Sequence, residues 1–471
     1  MSKTKVIPKN IEKKFELDEI FFSTTDLKGI IQYGNEVFTR LSGYEFEELV
    51  GSPHNIIRHP DMPKIIFKLL WDYIKADKTI VAYVKNLSKD GSYYWVLAAV
   101  FPLKNRNGET IKYLSIRIKP SSKMFEIIPD LYKELLKIEK EEGVEASYQY
   151  LLNFLKEHGF KDYDDFMRKA LEEEIKSREK LLNLDTNIVE EDFTGFVAKV
   201  SSENPVLRKF ERIKIISDRI YAEFNDAFNE LKRYVSLKDE LEEKAKYISR
   251  LADDIILLSL NASIESYKVK DVGVSFSVLS KEMRENTSMI ERNMKRMVNT
   301  ITQIANELSE NTLNINYLKL QTNMVESFVK EILENQHDTD DISSIYMIKE
   351  NLIDLINLMK DYLSNIAELL KGLNKSLFKI YNEINNLEML IKRLNFIHTN
   401  GIIESAHFVG TGQGFVILFS QMSDLVQSAK GEIETLSYNL KDRMDNSKKI
   451  NRFVDTSIYD IQKIELILEE I

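Results

Sequence analysis

All eight prolines of the chain fall at or before Pro205, and none occurs between Val206 and Ile471. A proline inside a helix removes a hydrogen bond and clashes with the preceding turn. The chain is therefore divided into a part that turns often and a part free to form very long helices. From Val206 onward apolar residues take heptad spacing. Ile213, Ile220, Ala227, Tyr234, Leu241, Ile248 and Ile255 recur every seven positions, with Phe224, Leu231, Ala245 and Ala252 as a companion row. Met283, Ile290, Met297, Ile304 and Leu318 continue the pattern, accompanied by Met294, Ile301, Leu308 and Ile315. Such rows define a long coiled-coil seam.

An internal repeat suggests how these helices are arranged. A shift of 139 residues places NASIESYKVKDVGVSFSVLSKEM (261–283) over NGIIESAHFVGTGQGFVILFSQM (400–422) without a gap. Asn261 then meets Asn400, Glu265 meets Glu404, Gly273 meets Gly412, Phe276 meets Phe415 and Met283 meets Met422. Central glycines, Gly273 in one copy and Gly410, Gly412 and Gly414 in the other, suit a reversal of direction. Each copy is read as a hairpin tip, near 271 and 410, and the polar run NQHDTDDISS (335–344) as the opposite turn. Four arms, each about 100 Å long at about 1.5 Å per residue, would run up and down with both tips at one end. One chain would then form a long antiparallel four-helix coiled-coil bundle from two tandem hairpins. The alternative is two separate coiled coils, each recruiting another chain.

The proline-containing part reads differently. Between residues 20 and 120 the segments FFSTTDL, GIIQYGN, TIVAYVKNL, YYWVLAAVFPL and TIKYLSIRI alternate with the turn signals Lys28-Gly29, Asp90-Gly91 and Asn107-Gly108. Helical stretches EVFTRL, EFEEL and PKIIFKLLWDYIKA lie between the second and third strands, the last opened by Pro63. This is an α+β module in which helices across a small antiparallel sheet enclose a pocket. The expected divisions are an N-terminal segment (1–19), the α+β module (20–120), a helical connector (121–205) and two helical hairpins (206–340 and 341–471).

Composition removes several functions. Lys and Arg number 65 against 75 Asp and Glu, a net charge of −10 that disfavours nucleic acid as a partner. No cysteine is present, so disulfides, thiol nucleophiles and Cys-ligated metals are excluded, and the six histidines show no ligand spacing. No apolar run approaches the roughly 18 residues of a membrane span, and the N-terminus lacks a signal-peptide core. A cytoplasmic protein without a transmembrane segment is expected. The glycine-rich GTGQG (410–414) lacks a following Lys-Ser/Thr, and no nucleotide-binding motif accompanies it. The chain is read as non-enzymatic.

Two resemblances add to this reading. The run TTDLKGIIQYGNEVFTRLSGYEFEELVGSPHNIIRHPDMP, followed by FKLLW, VKN, KDG and YYWV, resembles the PAS sensor domain of the bacterial aerotaxis-receptor type over about 100 residues. The resemblance implies a PAS fold whose pocket holds FAD and reports redox or oxygen state; an empty or differently liganded pocket and haem are the alternatives. Asn35, Arg58, His59, Asp61, Trp71, Asn86 and Tyr94 fall at that family's flavin-pocket or pocket-supporting positions. Where the family has Trp and Gly beside the VKN motif, this chain has Ile80 and Ala82.

The tips resemble the signalling tip of methyl-accepting chemotaxis proteins, the second copy being the more diverged. That resemblance implies binding of the chemotaxis histidine kinase and its coupling protein. Leu257, Leu260, Asn261, Ile264, Glu265 and Lys268 match the side on which receptors of that family contact one another, and Phe276, Val278, Glu282 and Arg284 the returning arm. Asn400 and Glu404 are their counterparts in the second copy, while Asp253, Lys270, Ser275, Gln421 and Ser423 depart from the family pattern. The combined expectation is a PAS-domain signal transducer, monomeric or homodimeric, for redox, oxygen or energy sensing. The rival is a non-catalytic scaffold whose PAS domain and helices only mediate association. A PAS-linked histidine kinase would need an ATP-binding domain for which no residues remain.

Overall fold

The computed structural model describes residues 6–182, 204–269, 273–334, 342–407 and 413–471. The bends expected at 271 and 410, residues 335–341 of the turn expected over 335–344, and residues 183–203 of the connector lie outside the described residues. Two compact units are present. The first comprises Met1–Phe224, Leu313–Tyr362 and Ser457–Ile471, the second Asn225–Thr312 and Leu363–Thr456. The division cuts across the four long helices rather than falling between them.

In the first unit the five expected strands form: β1 (Phe21–Thr25), β2 (Ile31–Gly34), β3 (Ile80–Leu87), β4 (Tyr93–Lys104) and β5 (Thr110–Ile118). They make one antiparallel sheet in the order β2-β1-β5-β4-β3. Between β2 and β3 lie α1 (Glu36–Ser42), α2 (Phe46–Leu49) and α3 (Lys64–Lys75), with a 3₁₀ turn over His54–Ile57. Pro63 occupies the N-cap of α3, where a missing N–H costs no helical bond. The described part of the connector carries three α-helices, α4 (Ile128–Glu141), α5 (Val144–Glu157) and α6 (Tyr163–Leu181).

The connector closes an exposed sheet edge. Outward-pointing backbone groups of edge strand β3 would otherwise template pairing with another chain. Here Tyr163 Oη donates to Val81 O (3.2 Å), Tyr132 Oη donates to Tyr83 O (2.8 Å), and Val81 N donates to Met167 Sδ (3.1 Å). The sheet's outer face is covered as well, by residues of α8 (Gly273–Glu334) and α9 (Ile342–His407) that belong to this unit. Phe22 packs edge-on against Phe328 (4.8 Å between ring centroids), and Phe101 against Tyr317 (5.3 Å) and Tyr362 (6.0 Å). Each such pair contributes about 0.5–1.5 kcal/mol beyond the area it buries. Sheet on one side and helices on the other leave every residue of α8 from Asn314 to Thr322 buried.

The second unit contains residues of α7 (Pro205–Lys268), α8, α9 and α10 (Gln413–Glu469). Its heptad rows are interior, with Leu241, Ile248, Ile255, Ile290, Met297 and Ile304 all at most 2% exposed. Tyr234 Oη donates to Arg443 O (2.6 Å) and Lys244 pairs with Glu432 (2.6 Å), so α7 and α10 run antiparallel. Asn286 Nδ2 donates to Leu390 O (2.7 Å) and Asn293 Nδ2 to Glu383 O (3.0 Å), which sets α8 antiparallel to α9. Gly401 lies against Phe419, where a Cβ would approach the ring to 2.4 Å, so α9 and α10 touch closely only because glycine stands there. Near the start of α8 and of α10, Phe276 and Phe415 stack with centroids 3.7 Å apart and planes 8° from parallel. These are equivalent positions of the repeat. The described arms next to the two expected bends therefore touch at equivalent positions.

The chain contains no cysteine, which allows a direct check. Oxidative or short bis-maleimide cross-linking of Phe276→Cys/Phe415→Cys in dilute solution is expected to give a product of single-chain mass on a non-reducing gel. A product of twice that mass would mean that the tips meet between chains.

Candidate functional site

The sheet's inner face is where polar chemistry collects. Strand alternation turns Ser23 of β1, Asn86 of β3, Ala98 and Val100 of β4, and Ser115 and Arg117 of β5 to one side. Facing them are the 3₁₀ turn and the Phe67, Trp71 and Ile74 side of α3, and between the layers lies a cavity of about 220 Å³. Gly29 lets Trp71 form its wall. Its φ of +79° favours glycine, and a Cβ there would come within 3.2 Å of the indole.

Arg117 is 5% exposed, yet among the described residues no carboxylate is its hydrogen-bond partner. Its Nη1 donates to Ser23 Oγ (3.0 Å), and its Nη2 lies 2.7 Å from His54 Nε2. Burial lowers the guanidinium to about 10, so it remains charged at neutral pH. Burial, and then the Arg117 charge, push His54 down to about 3. His54 is therefore neutral with its proton on Nδ1, which leaves Nε2 to accept from Arg117. The His54 ring also stacks on Phe38, 5.9 Å between centroids. Two further polar groups line the cavity without a partner among the described residues, Asn86 Nδ2 and Ser115 Oγ, on residues 3% and 5% exposed. A buried donor without an acceptor costs about 1–3 kcal/mol. The site thus offers a flat aromatic wall, two free polar groups and a buried cation to a ligand rich in acceptors.

Of the residues singled out in the sequence, Arg58, Trp71 and Asn86 line the cavity. Arg58 lies over the Phe67 ring (3.9 Å). Tyr94 is on the same sheet face, paired with Asn86 across the strands, but is stacked on Phe21 and fully buried beside the cavity rather than in it. Asn35 lies outside. Its Oδ1 accepts from Phe22 N and Phe38 N and its Nδ2 donates to Ile20 O, so it caps α1 and ties it to β1. His59 and Asp61 are also outside the cavity. Asp61 N donates to His59 Nδ1 (3.1 Å), and the exposed Asp61 carboxylate pairs with Lys85 (2.8 Å). Burial and then Lys85 push His59 down to about 4; burial opposes ionisation of Asp61, but the Lys85 bond and charge hold it below its usual value. Ser23, His54, Ser115 and Arg117 were not singled out. Their signal is faint but present: in TIKYLSIRI the polar Ser115 and Arg117 alternate with Leu114, Ile116 and Ile118.

In the second unit Leu257, Leu260 and Ile264 form an exposed stripe on α7, 59%, 41% and 57% exposed. Asn261 and Lys268 are exposed, and Glu265 pairs with Lys268. Arg284 Nη2 donates to Ser263 Oγ, and Glu282 is half-buried. Asn400 and Glu404 are half-buried on α9, where Phe396 and Ile403, the counterparts of Leu257 and Ile264, are exposed.

Residues 31–117 match the family model described as the PAS fold, so the sheet, the helices over it and the cavity form a PAS domain. The chain is 41% identical to the Aerotaxis receptor of Escherichia coli over 118 residues, 25% of this chain and 23% of that one. It is 29% identical to Phototropin-2 of Oryza sativa subsp. japonica over 91 residues, 19% of this chain and 10% of that one. A solved light-oxygen-voltage domain studied with a flavin analogue is 23% identical, covering 26% of this chain and 87% of its own, with a TM-score of 0.21. The chain spans less than a quarter of the length of these two curated relatives.

The depressed histidines set a pH dependence. An unfolded histidine titrates near 6.5 and takes up a proton that native His54 and His59 refuse, so stability falls as pH drops below about 6.5 and goes on falling toward their native values. His54→Gln keeps an acceptor near Arg117 but cannot charge. Urea midpoints measured from pH 7 to pH 4 are expected to decline less steeply in that variant than in the unchanged protein.

Proposed function

We propose that this chain is a cytoplasmic, non-enzymatic signal transducer whose PAS cavity holds a flavin, FAD in particular, and reports redox or oxygen state to the helices. The observation that carries the reading is the pair of partnerless polar groups, Asn86 Nδ2 and Ser115 Oγ, beside a buried Arg117 and under Trp71. The edge of an isoalloxazine ring supplies acceptors for such groups, and Trp71 and Phe67 give its faces apolar contact. Arg58 and the exposed Lys28 at the rim are suited to phosphates. Ile80 and Ala82 are buried and outside the cavity lining, so the two departures from the family leave the lining as it is.

Bound flavin would supply a redox couple whose ring changes charge and protonation on reduction. Arg117 and Ser115 would re-aim their hydrogen bonds in response, both from β5. The response has a short path. Ser23 faces the cavity while its neighbour Phe22 touches Phe328, and Val100 lines the cavity while Phe101 touches Tyr317 and Tyr362. A difference of about 1–3 kcal/mol between states is sufficient for such coupling. Helices α7 to α10 each contribute residues to both units, and the duplicated tips would present the output surface to the chemotaxis histidine kinase and its coupling protein. Among the described residues no helix is long and apolar enough to cross a membrane.

Purified protein, as isolated or reconstituted with FAD, is expected to be yellow with flavin absorption bands. Asn86→Ala and Ser115→Ala should each weaken retention about five- to tenfold, equivalent to about 1 kcal/mol per lost hydrogen bond. Protein that stays colourless after reconstitution would overturn the flavin reading and favour the scaffold.

A further inference from the structure

Helix α6 carries two buried carboxylates five residues apart, which at 3.6 residues per turn point to different sides of the helix. Glu174 is 0% exposed and faces the sheet. It accepts hydrogen bonds from Tyr83 Oη (2.8 Å) on β3 and from Ser121 N (2.6 Å), Ser122 N (2.9 Å) and Ser122 Oγ (2.8 Å) just beyond β5. These are the two strands that supply Asn86 and Ser115 to the cavity. Glu179 faces the long helices. Its Oε1 accepts from Tyr221 Oη (2.6 Å) on α7 and from Lys319 Nζ (2.9 Å) on α8. Lys319 is 2% exposed, within the stretch of α8 that is buried on every side, and Glu179 is 7% exposed. Removing one partner of a buried ion pair is far more damaging than removing both, because the remaining charge stays in a poorly solvated place.

We propose that α6 is a latch: its docking and the closure of the first unit's helical segments around Lys319 are a single linked equilibrium, so loosening Glu174 from β3 and the end of β5 releases the helices that Glu179 holds. The trigger, a change of bonding in the cavity, rests on the flavin reading above; the linkage through Glu179 and Lys319 does not. The latch makes a prediction that damage at the ion pair alone does not share: Tyr83→Phe, which loosens Glu174 from β3 and touches neither Glu179 nor Lys319, must speed exchange in 313–334, and no acceleration there overturns the linkage. Loss of the carboxylate opens the helices by depriving a buried ammonium of Glu179, so loss of the ammonium as well must close them again.

The test is amide hydrogen exchange on the full chain, read in peptides covering 205–224 and 313–334, with peptides from 225–312 as an internal reference. Glu179→Gln is expected to speed exchange in 313–334 at least tenfold relative to the reference. Glu179→Gln/Lys319→Met is expected to return it to within about threefold of the unchanged protein. Exchange in Glu179→Gln within twofold of the unchanged protein, or a double variant no slower than the single one, would overturn the latch. If Glu179→Gln does not fold, Tyr221→Phe, which removes one bond to Glu179 and strands no charge, should give a smaller acceleration of the same peptides; no acceleration counts against the latch. The trigger is read separately, by reducing FAD-loaded protein with dithionite. A change of at least threefold in 313–334 is expected in the unchanged protein, falling below twofold in the double variant with flavin absorption retained. Colourless protein that still shows the rescue removes the flavin trigger alone, whereas yellow protein without the rescue removes the latch alone.

Discussion

A β-strand sends successive side chains to opposite faces of its sheet, and here both faces are buried against something different. The inner face is polar at its centre and encloses the cavity, while the outer face is aromatic and meets α8 and α9. Nothing thicker than one strand separates Ser23 from Phe328 or Val100 from Tyr317. The arrangement depends on register: Ser23 opposite Ser115 and Ala98 opposite Arg117 bring three strands' residues to one site. A slip of one residue would send the polar set to the helices and the aromatic set to the cavity.

That sheet also needs its edge protected, and the connector does this while joining the two kinds of structure. Tyr132, Tyr163 and Met167 occupy backbone groups of β3, and Glu174 binds β3 and the chain leaving β5. On its other side the same helix gives Glu179 to Lys319 and Tyr221. The helical connector is thus a structural joint. The second unit follows a simpler rule, in which heptad rows fill the interior and the repeat brings Phe276 onto Phe415.

Much of this was legible in advance because it is local. Strand and helix runs of the α+β module, the glycine turns and the heptad rows all rest on patterns within a few residues. Arg58, Trp71 and Asn86 were legible through the resemblance carried by the PHNIIRHPDMP, FKLLW and VKN runs and do line the cavity. Asn35 was not separable from them in sequence, because a buried asparagine reads alike whether it holds a ligand or, as here, caps a helix and ties it to a strand. Arg117 and His54 were missed because their significance is the 2.7 Å between them across 63 residues of chain. Lys319 was hidden inside a helix whose heptads mark only the face toward other helices; the covering sheet that buries the rest leaves no periodic trace.

By itself the sequence determined where helices can run unbroken, since proline's missing N–H and heptad burial act within single segments, and it determined that one segment occurs twice. Tertiary structure alone decided which face of each strand meets the cavity, that Asn86 and Ser115 are left without partners there, and that Glu179 reaches Lys319. The physical reason is the same in each case. Burial and pairing are properties of what surrounds a side chain, and those surroundings come from residues far away in the chain.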